Sequence, residues 1–572
     1  MNKTKKALAT LVIVCLYLTG YSQTCTPSNS STELDINNVK ATLLGGGDLW
    51  WDLSDGKYIV PKPPQGGNPV STVFAAGIWI GGLDNAGNLK LAAQTYRQGG
   101  NDFWPGPILS NPVPQLTCLK WNRHFVVLGA EIDSFLQDYD DNGTIDDPIP
   151  TNILLWPASG NPNSIYGQAL PIRDLAPFKD QNNDSIYNPM DGDYPILGLD
   201  GCQDQYADQM IWWVFNDVGN VHTHTSGSAI GIEVQAMAYA FVDGPLANTT
   251  FYTYDIINQS TEDLNDTYIG QWTDTDLGCW QNDFIGCDVA RSMGISYNGR
   301  ANDPDCSSFN SIIYGYGSQV PLFGIDLLKG PKDSSGQSLP MTSFVSYNND
   351  NSPVGNPATD QEYYQYLKGQ WRNGSPLEFG GDGYLENTFP FPYMFPGVSA
   401  DTNDWSECTE FNTPGDRKML MGSGPFDFPA GSRNEFTIAA IFVPNVPHPC
   451  PNFAPLEMSS DSIQALFDNC FSPMVTSIEP VIPEVLEASR VYPNPTNVSQ
   501  GVHITNVPAN AILEITAIDG KRLYTKQQKS GITTDLFWDL TTDNGGFVTG
   551  GLYFVSIRLE GIGSRVFKVS VY

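Results

Sequence analysis

Two acidic stretches of this 572-residue chain carry oxygen-bearing side chains at the spacing of a calcium loop. In the first, Asp138, Asp140 and Asn142 stand at positions 1, 3 and 5. Gly143 at position 6 supplies the sharp turn, Thr144 at 7 can offer its carbonyl, and Asp146 stands at 9. Calcium is a hard cation that surrounds itself with oxygen ligands, which is why such side chains recur at every second position. Position 12 is Ile149 rather than Glu, so the bidentate ligand is lacking or comes from elsewhere. In the second stretch Asp180, Asn182 and Asp184 take positions 1, 3 and 5, Asn188 takes 9 and Asp191 takes 12, with Ser185 where glycine is usual. These residues predict two structural calcium sites. The competing reading is a pair of Asx-rich turns that satisfy their own backbone.

A third constellation, Trp272-Thr273-Asp274-Thr275-Asp276-Leu277-Gly278-Cys279, is followed by Asp283 and Asp288. On a strand Asp274 and Asp276 share one face. Carboxylates that close either share a cation or hold a proton between them, and paired carboxylates are also the acid/base apparatus of glycoside hydrolysis. A cation site, a solvated acidic loop and a catalytic set drawn from Asp274, Asp276, Asp283 and Asp288 all stay open at this point. Other chemistries lack their signatures: the chain contains no G-x-S-x-G, no H-E-x-x-H and no G-x-x-x-x-G-K-[ST]. Among five histidines, His222 and His224 form the one close pair, and no cysteine or acidic partner follows at a zinc-site spacing. The 13 tryptophans often stand beside Gly, Asp or Pro, as at Trp50-Trp51, Trp79, Trp104, Trp212-Trp213 and Trp371. Most such rings fill cores, and an exposed remainder would make a glycan- or polymer-binding face.

The elements that must position these residues are strands. With 55 Gly and 42 Pro, the composition describes short strands joined by tight turns. Clean period-two alternation runs through Ile230 to Ala236, Phe251 to Ile256 and Glu435 to Val443. Helical pattern is rare: Asp461 to Phe471, with Asp461 as cap and Ile463, Leu466, Phe467 and Phe471 on one face, and a shorter stretch from Gln361 to Gln370. The expected fold is mainly β, with a β-sandwich-like central region that has long loops and few short helices.

The ends of the chain define its organisation. Lys3, Lys5 and Lys6 precede an apolar run from Ala7 to Leu18, which makes residues 1–23 a signal peptide, too short to span a bilayer. Residues 24–477 form the β-rich central region, with a break near 175–200. Residues 478–488, rich in Pro and Glu, read as a linker, and 489–572 as a separate domain. Formal charge is -33, and residues 24–488 hold 18 basic against 56 acidic side chains. Such a chain repels nucleic acid and anionic lipid at long range. No further stretch is long and apolar enough to span a bilayer, so no transmembrane segment is expected in the mature chain. Nine of ten cysteines follow the signal peptide, an odd number bound for an oxidising compartment. The preferred bridges are Cys279 to Cys287 across the acidic loop and Cys450 to Cys470 across the predicted helix.

Within the last domain the order is Tyr492-Pro493-Asn494-Pro495, an apolar strand around Ile512 to Ile518, Asp519-Gly520, Trp538-Asp539-Leu540, Gly550-Gly551-Leu552-Tyr553 and a terminal strand. This resembles the type A C-terminal sorting domain of the type IX secretion system of Bacteroidota, which implies a second β-sandwich. Phrases of the central region, among them Gly47-Asp48-Leu49-Trp50-Trp51-Asp52-Leu53, Asp102-Phe103-Trp104-Pro105-Gly106-Pro107, Gly192-Asp193-Tyr194-Pro195 and Asp416-Arg417, resemble a group of large secreted proteins with the same tail and no assigned activity. The resemblance implies passage through the periplasm and the type IX translocon, and removal of the tail by its sortase. The chain would then be secreted or held at the outer-membrane surface, with surface lipopolysaccharide as an attachment partner.

The leading expectation is a calcium-stabilised binding or adhesion protein that meets an extracellular glycan. One alternative is a secreted polysaccharide hydrolase using the acidic loop from Asp274 to Asp288, and another is a structural surface-layer component.

Overall fold

The computed structural model describes residues 24–471, 486 and 488–572, apart from 65–66, 165, 203, 309–310, 498–499, 518–520, 530–532 and 560–562. The signal-peptide stretch, most of the linker and the Asp519-Gly520 step lie outside the described residues. The chain divides into two compact units, Met1–Cys470 and Phe471–Tyr572. No described helix is long and apolar enough to cross a membrane.

The first unit is built on two antiparallel nine-stranded sheets. One contains the strands Ala75–Asp84, Leu264–Thr275, Arg417–Phe428 and Ser343–Tyr347 in that spatial order, the last at the sheet edge. The other runs Asp283–Asp288, Met293–Asn298, Leu322–Lys329, Arg433–Val443, Thr249–Asn258, Ile232–Ala240 and Gln209–Asn216. Their inner faces share one core: Ile78, Ile80, Trp272 and Leu420 come from the first sheet, and Trp213, Val234, Tyr252 and Ile438 from the second. Edge-on ring contacts cross the interface, with Trp50 set 5.2 Å from Tyr252 and Tyr58 5.3 Å from Phe323. The mainly β, sandwich-like architecture expected from the alternating runs is therefore present.

The strand Gln209–Asn216 is buried at all eight positions, because Trp213 and Phe215 face the shared core while Trp212 packs on Trp121 and Phe125. A strand covered on both faces reads as a continuous apolar run rather than an alternation, which is how Met210-Ile211-Trp212-Trp213-Val214-Phe215 reads.

The helices differ from expectation. The predicted helix from Asp461 to Phe471 begins earlier and spans Ala454–Asp468, with Pro455 in its first turn. Its buried stripe is Leu456, Ser460, Ile463 and Phe467. Asp461 is not a cap; it lies mid-helix and pairs with Arg291 at 2.8 Å. Pro is tolerated in a first turn, where its missing N–H has no helical partner to lose, and that start signal outranked the aspartate. The second predicted helix is Asp360–Leu367, capped by Thr359. A third helix that sequence reading missed, Gly129–Asn142, carries Ile132 and Phe135 into the interior and ends on Gly143 in the left-handed conformation.

Neither preferred disulfide forms. The bridges are Cys25–Cys118, Cys202–Cys470, Cys279–Cys306 and Cys408–Cys450, and Cys287 is a buried free thiol. Cys287 lies in the strand Asp283–Asp288, separated from Cys279 by the short helix Trp280–Asn282, and Cys279 is taken by Cys306. The Cys287 Sγ donates instead to the Met394 carbonyl at 3.4 Å. Cys450 and Cys470 flank a 15-residue helix, which holds them roughly 22 Å apart.

The second unit is a smaller pair of sheets. Arg490–Tyr492, Val502–Val507 and Thr534–Trp538 form one; Arg522–Gln527, Ile512–Ala517, Gly551–Leu559 and Gly563–Val571 form the other. Val502, Ile504, Leu513, Ile515, Trp538, Val555 and Val569 close the core between them. The signature residues have structural work here. Asn494 donates to the Lys568 carbonyl at 2.6 Å and accepts from the Ser570 amide at 3.1 Å, so Tyr492-Pro493-Asn494-Pro495 is clamped to the last strand. Trp538 donates to the Thr541 carbonyl at 2.8 Å across the turn that Asp539 caps.

The long C-terminal helix of the first unit docks through a buried carboxyl. Asp326, 1% exposed, accepts from the Ser460 hydroxyl at 2.6 Å, and burial pushes its pKa up to about 7. In the unfolded chain an aspartate titrates near pH ~4, so between about pH 4 and 7 the native state holds the proton that the unfolded state has lost. The stability from this group is complete below that window and is lost as pH rises through it. Asp326→Asn is therefore expected to flatten part of the fall in melting temperature between pH ~4 and ~8. Parallel slopes for variant and wild type would remove Asp326 from the account.

Candidate functional site

The first acidic stretch is partly helical. Asp138, Asp140 and Asn142 all lie on the helix Gly129–Asn142, where residues two apart point about 200° from one another. Asp138 turns toward the loop and accepts the amides of Asp146 and Asp147, each at 3.2 Å. Carboxylate oxygens of Asp138, Asp146 and Asp147 all lie within 4.8 Å of one another. Asn142 accepts the Thr144 amide at 2.9 Å and donates to Asp146 at 3.2 Å. Asp140 is exposed and outside this group. The structure thus gathers Asp138 and Asp146, adds Asp147, which sequence reading omitted, and leaves Asp140 aside. An all-oxygen group of three carboxylates suits a hard divalent cation.

The second stretch closes on its own backbone. Asp180 accepts the amides of Asn183 at 2.7 Å and Ser185 at 2.8 Å, and Asp184 accepts that of Ile186 at 2.8 Å. Asn182 and Asn188 both donate to Asp191, at 3.3 and 2.7 Å. Asn183 and Ser185 adopt left-handed φ values of 60° and 65°, so Ser185 does take the turn conformation usually left to glycine. At the centre sits Asp193, 0% exposed, which accepts the amides of Gln181 and Asn188 at 2.8 and 2.9 Å. No three carboxylates of this stretch fall within the 4.8 Å that the first loop achieves, among the described residues.

The four aspartates of the third constellation separate. Asp274 and Asp276 stay together at the end of the strand Leu264–Thr275, joined by Asp416, and oxygens of the three lie within 4.8 Å. Antiparallel pairing produces the meeting: Thr275 stands opposite Arg417, so Asp276 and Asp416 are the next positions out. Tyr96 donates its hydroxyl to Asp274 Oδ2. Burial, with the Asp416 charge, pushes the Asp274 carboxyl up to about 7 against the opposing pull of Lys418. Burial and the neighbouring Asp274 raise Asp276 well above the usual range. Asp283 stands apart, accepting the Leu277 amide at 3.0 Å. Asp288 pairs with Arg291 at 2.8 Å. Asp416 was visible in the sequence only as part of an unexplained Asp-Arg step, 140 residues from Asp276.

Asp276 also lines an open cleft of about 710 Å³, whose walls include Phe74, Trp280 and Tyr314 with Asp55 and Lys57 at the side. Of 13 tryptophans, 12 are buried, so the expectation that most fill cores holds for all those named from the sequence; Trp280 is partly buried and lines this cleft. The histidine pair makes no joint site. His222 has its ring nitrogens 2.9 Å from the Leu91 carbonyl and 2.7 Å from that of Asp217, while His224 meets the hydroxyls of Thr95 and Tyr363.

No family model matches the chain. No curated protein matches it either. Among solved structures it is similar to a polysaccharide lyase, at 8% identity over 59% of this chain and 34% of that one, with a TM-score of 0.18. PorZ, a surface component of the type-IX secretion system of Porphyromonas gingivalis, gives 12% identity over 95% and 51% of the two chains and a TM-score of 0.14. The adhesin domain of Epf from Streptococcus pyogenes gives 7% identity over 57% and 80%, with a TM-score of 0.13. The chain spans 34% and 51% of the length of the first two. None of these likenesses transfers a property to it.

The geometry of the first loop makes a prediction that distinguishes neighbouring aspartates. A cation bound only by the folded state stabilises it by about 2.7 kcal/mol at a hundredfold excess over Kd. Asp138→Ala is expected to reduce the calcium-dependent rise in melting temperature, and Asp140→Ala to leave it at the wild-type value. Equal melting in calcium and in chelator for the wild type would make this stretch an ordinary turn.

Proposed function

We propose that the chain is an exported, calcium-stabilised binding protein of the cell surface or the surrounding medium, whose ligand is an extracellular glycan seated in the cleft beside Trp280. The observation that carries this reading is the cleft itself, whose lining combines three aromatic side chains with several ionic ones. Flat rings stack on the apolar faces of sugars while carboxylates and ammonium groups take the hydroxyls. Calcium at the Asp138 loop stiffens the scaffold in this reading. Export rests on the resemblance of the last domain to type IX sorting domains, with the translocon, its sortase and surface lipopolysaccharide as the partners it implies.

A hydrolase reading is favoured by one feature: Asp276 reaches the cleft while Asp274 sits behind it, more deeply buried, so two close carboxyls differ in environment. Divergent environments are what separate an acid from a base. Binding and turnover are measurable in one assay.

Trp280→Ala is expected to weaken binding to a retained polysaccharide at least tenfold, as loss of a stacking ring commonly does. An unchanged affinity, or no binding to a broad glycan panel by the wild type, would sink the binding reading. Release of shortened chains by the wild type, abolished in a folded Asp276→Asn variant, would replace it with hydrolysis.

Export has its own test. Deleting residues 489–572 is expected to leave a folded first unit in the periplasm. Arrival of the truncated chain at the surface would remove the sorting role of the tail.

A further inference from the structure

The group at the inner edge of the cleft has a hydrogen-bond account that does not close. Asp274 is 5% exposed, and while its Oδ2 receives the Tyr96 hydroxyl, its Oδ1 has no donor. A buried carboxylate oxygen without a partner is costly. Asp276 and Asp416 bring two further carboxylates to within 4.8 Å of it, and neither can donate when ionised. Of the Asp416 oxygens, Oδ2 receives the Asn349 amide at 3.2 Å. Lys418 supplies one positive charge nearby, yet its Nζ is buried without a hydrogen-bond partner. With all three ionised, three carboxylates against one ammonium would leave two negative charges uncompensated, a state that calls for either shared protons or a cation.

We propose that Asp274, Asp276 and Asp416 form a divalent-cation site, distinct from the Asp138 loop and entered from the cleft through Asp276. A 2+ ion closes the charge balance and gives Asp274 Oδ1 the partner it lacks. The donor set is entirely oxygen, without histidine or thiolate, which selects a hard ion of the calcium class over zinc or copper. Two of the three ligands are partly exposed, so the ion keeps water in the positions the protein does not fill. The site depends on tertiary structure, because its ligands come from the ends of two neighbouring strands rather than from one loop.

The test uses the mature protein stripped with chelator. Crystals soaked in a terbium salt are expected to show an anomalous peak among the three carboxylates, and calcorimetric titration with calcium to lose one site in Asp416→Asn relative to wild type. Asp276→Asn, at the open edge of the group, is expected to lose the same site, while Asp138→Ala loses a different one. Absence of anomalous density at the group in crystals that take up terbium elsewhere would overturn the proposal. So would wild-type stoichiometry in both Asp416→Asn and Asp276→Asn; protons shared among the carboxyls would then account for the group. The soak needs no substitution, so a variant that fails to fold leaves the question decidable. The outcome is independent of glycan binding, since the metal alone is the probe.

Discussion

A loop can be buried only if its amide groups find acceptors, and in this protein buried aspartates supply them. Asp217 accepts the amides of Ile230, Gly231 and Ile232 at 2.5 to 3.0 Å. Asp193 accepts those of Gln181 and Asn188. Asp303 accepts those of Cys279 and Tyr316, at 3.2 and 2.6 Å. Asp48 plays the same part for side chains, receiving Trp51 Nε1 at 2.9 Å and two nitrogens of Arg97 at 2.8 and 2.9 Å. A backbone group left unpaired in the interior costs about as much as a lost hydrogen bond. Several of the connections between strands are therefore tied at such a carboxylate.

This changes what the acidic composition means. Of 62 acidic side chains, Asp48, Asp102, Asp193, Asp217, Asp283 and Asp326 are each at most 1% exposed and add nothing to the surface. Their role is internal, and burial raises the pKa of several, Asp193, Asp217, Asp283 and Asp326 among them. The protein keeps some of its carboxyl groups in its joints. Where donors suffice, as around Asp217, a carboxylate is a fastener; where carboxylates outnumber donors, as around Asp274, the same residue type becomes a candidate ligand.

How much of this was legible follows from the range of the interactions involved. Strands announced themselves: the run Glu435 to Val443 is read as a strand from local pattern alone, and the strand found is Arg433–Val443, buried on both faces from Phe436 to Phe442. Helix ends were less legible, because Pro455 and Asp461 are both start signals and the docking of Leu456 and Ser460, invisible locally, decided between them. At the first acidic stretch, spacing grouped Asp140 with Asp138 and Asp146, whereas the structure, helical through Asn142, brings Asp147 rather than Asp140 beside those two. Asp416 and the true cysteine partners were beyond reach, since separations of 27 to 268 residues between bridged cysteines are set by topology alone. The tryptophans were read through their polar neighbours, which mark strand ends correctly but say nothing about which side of the sheet covers the ring.

Two of the disulfides bear on how the first unit responds to tension. A pull between its ends passes from Cys25 directly to Cys118 and from Cys202 directly to Cys470, so the segments enclosed by those bridges, with nearly all of both sheets, are bypassed by the covalent load path. Only residues 119–201 remain in series. That stretch contains the helix Gly129–Asn142 and both acidic turns, and everything outside it is mechanically short-circuited. Under load the molecule would lengthen there first, in the segment whose acidic turns are held by aspartate-to-amide bonds, while the strands that shape the cleft stay slack.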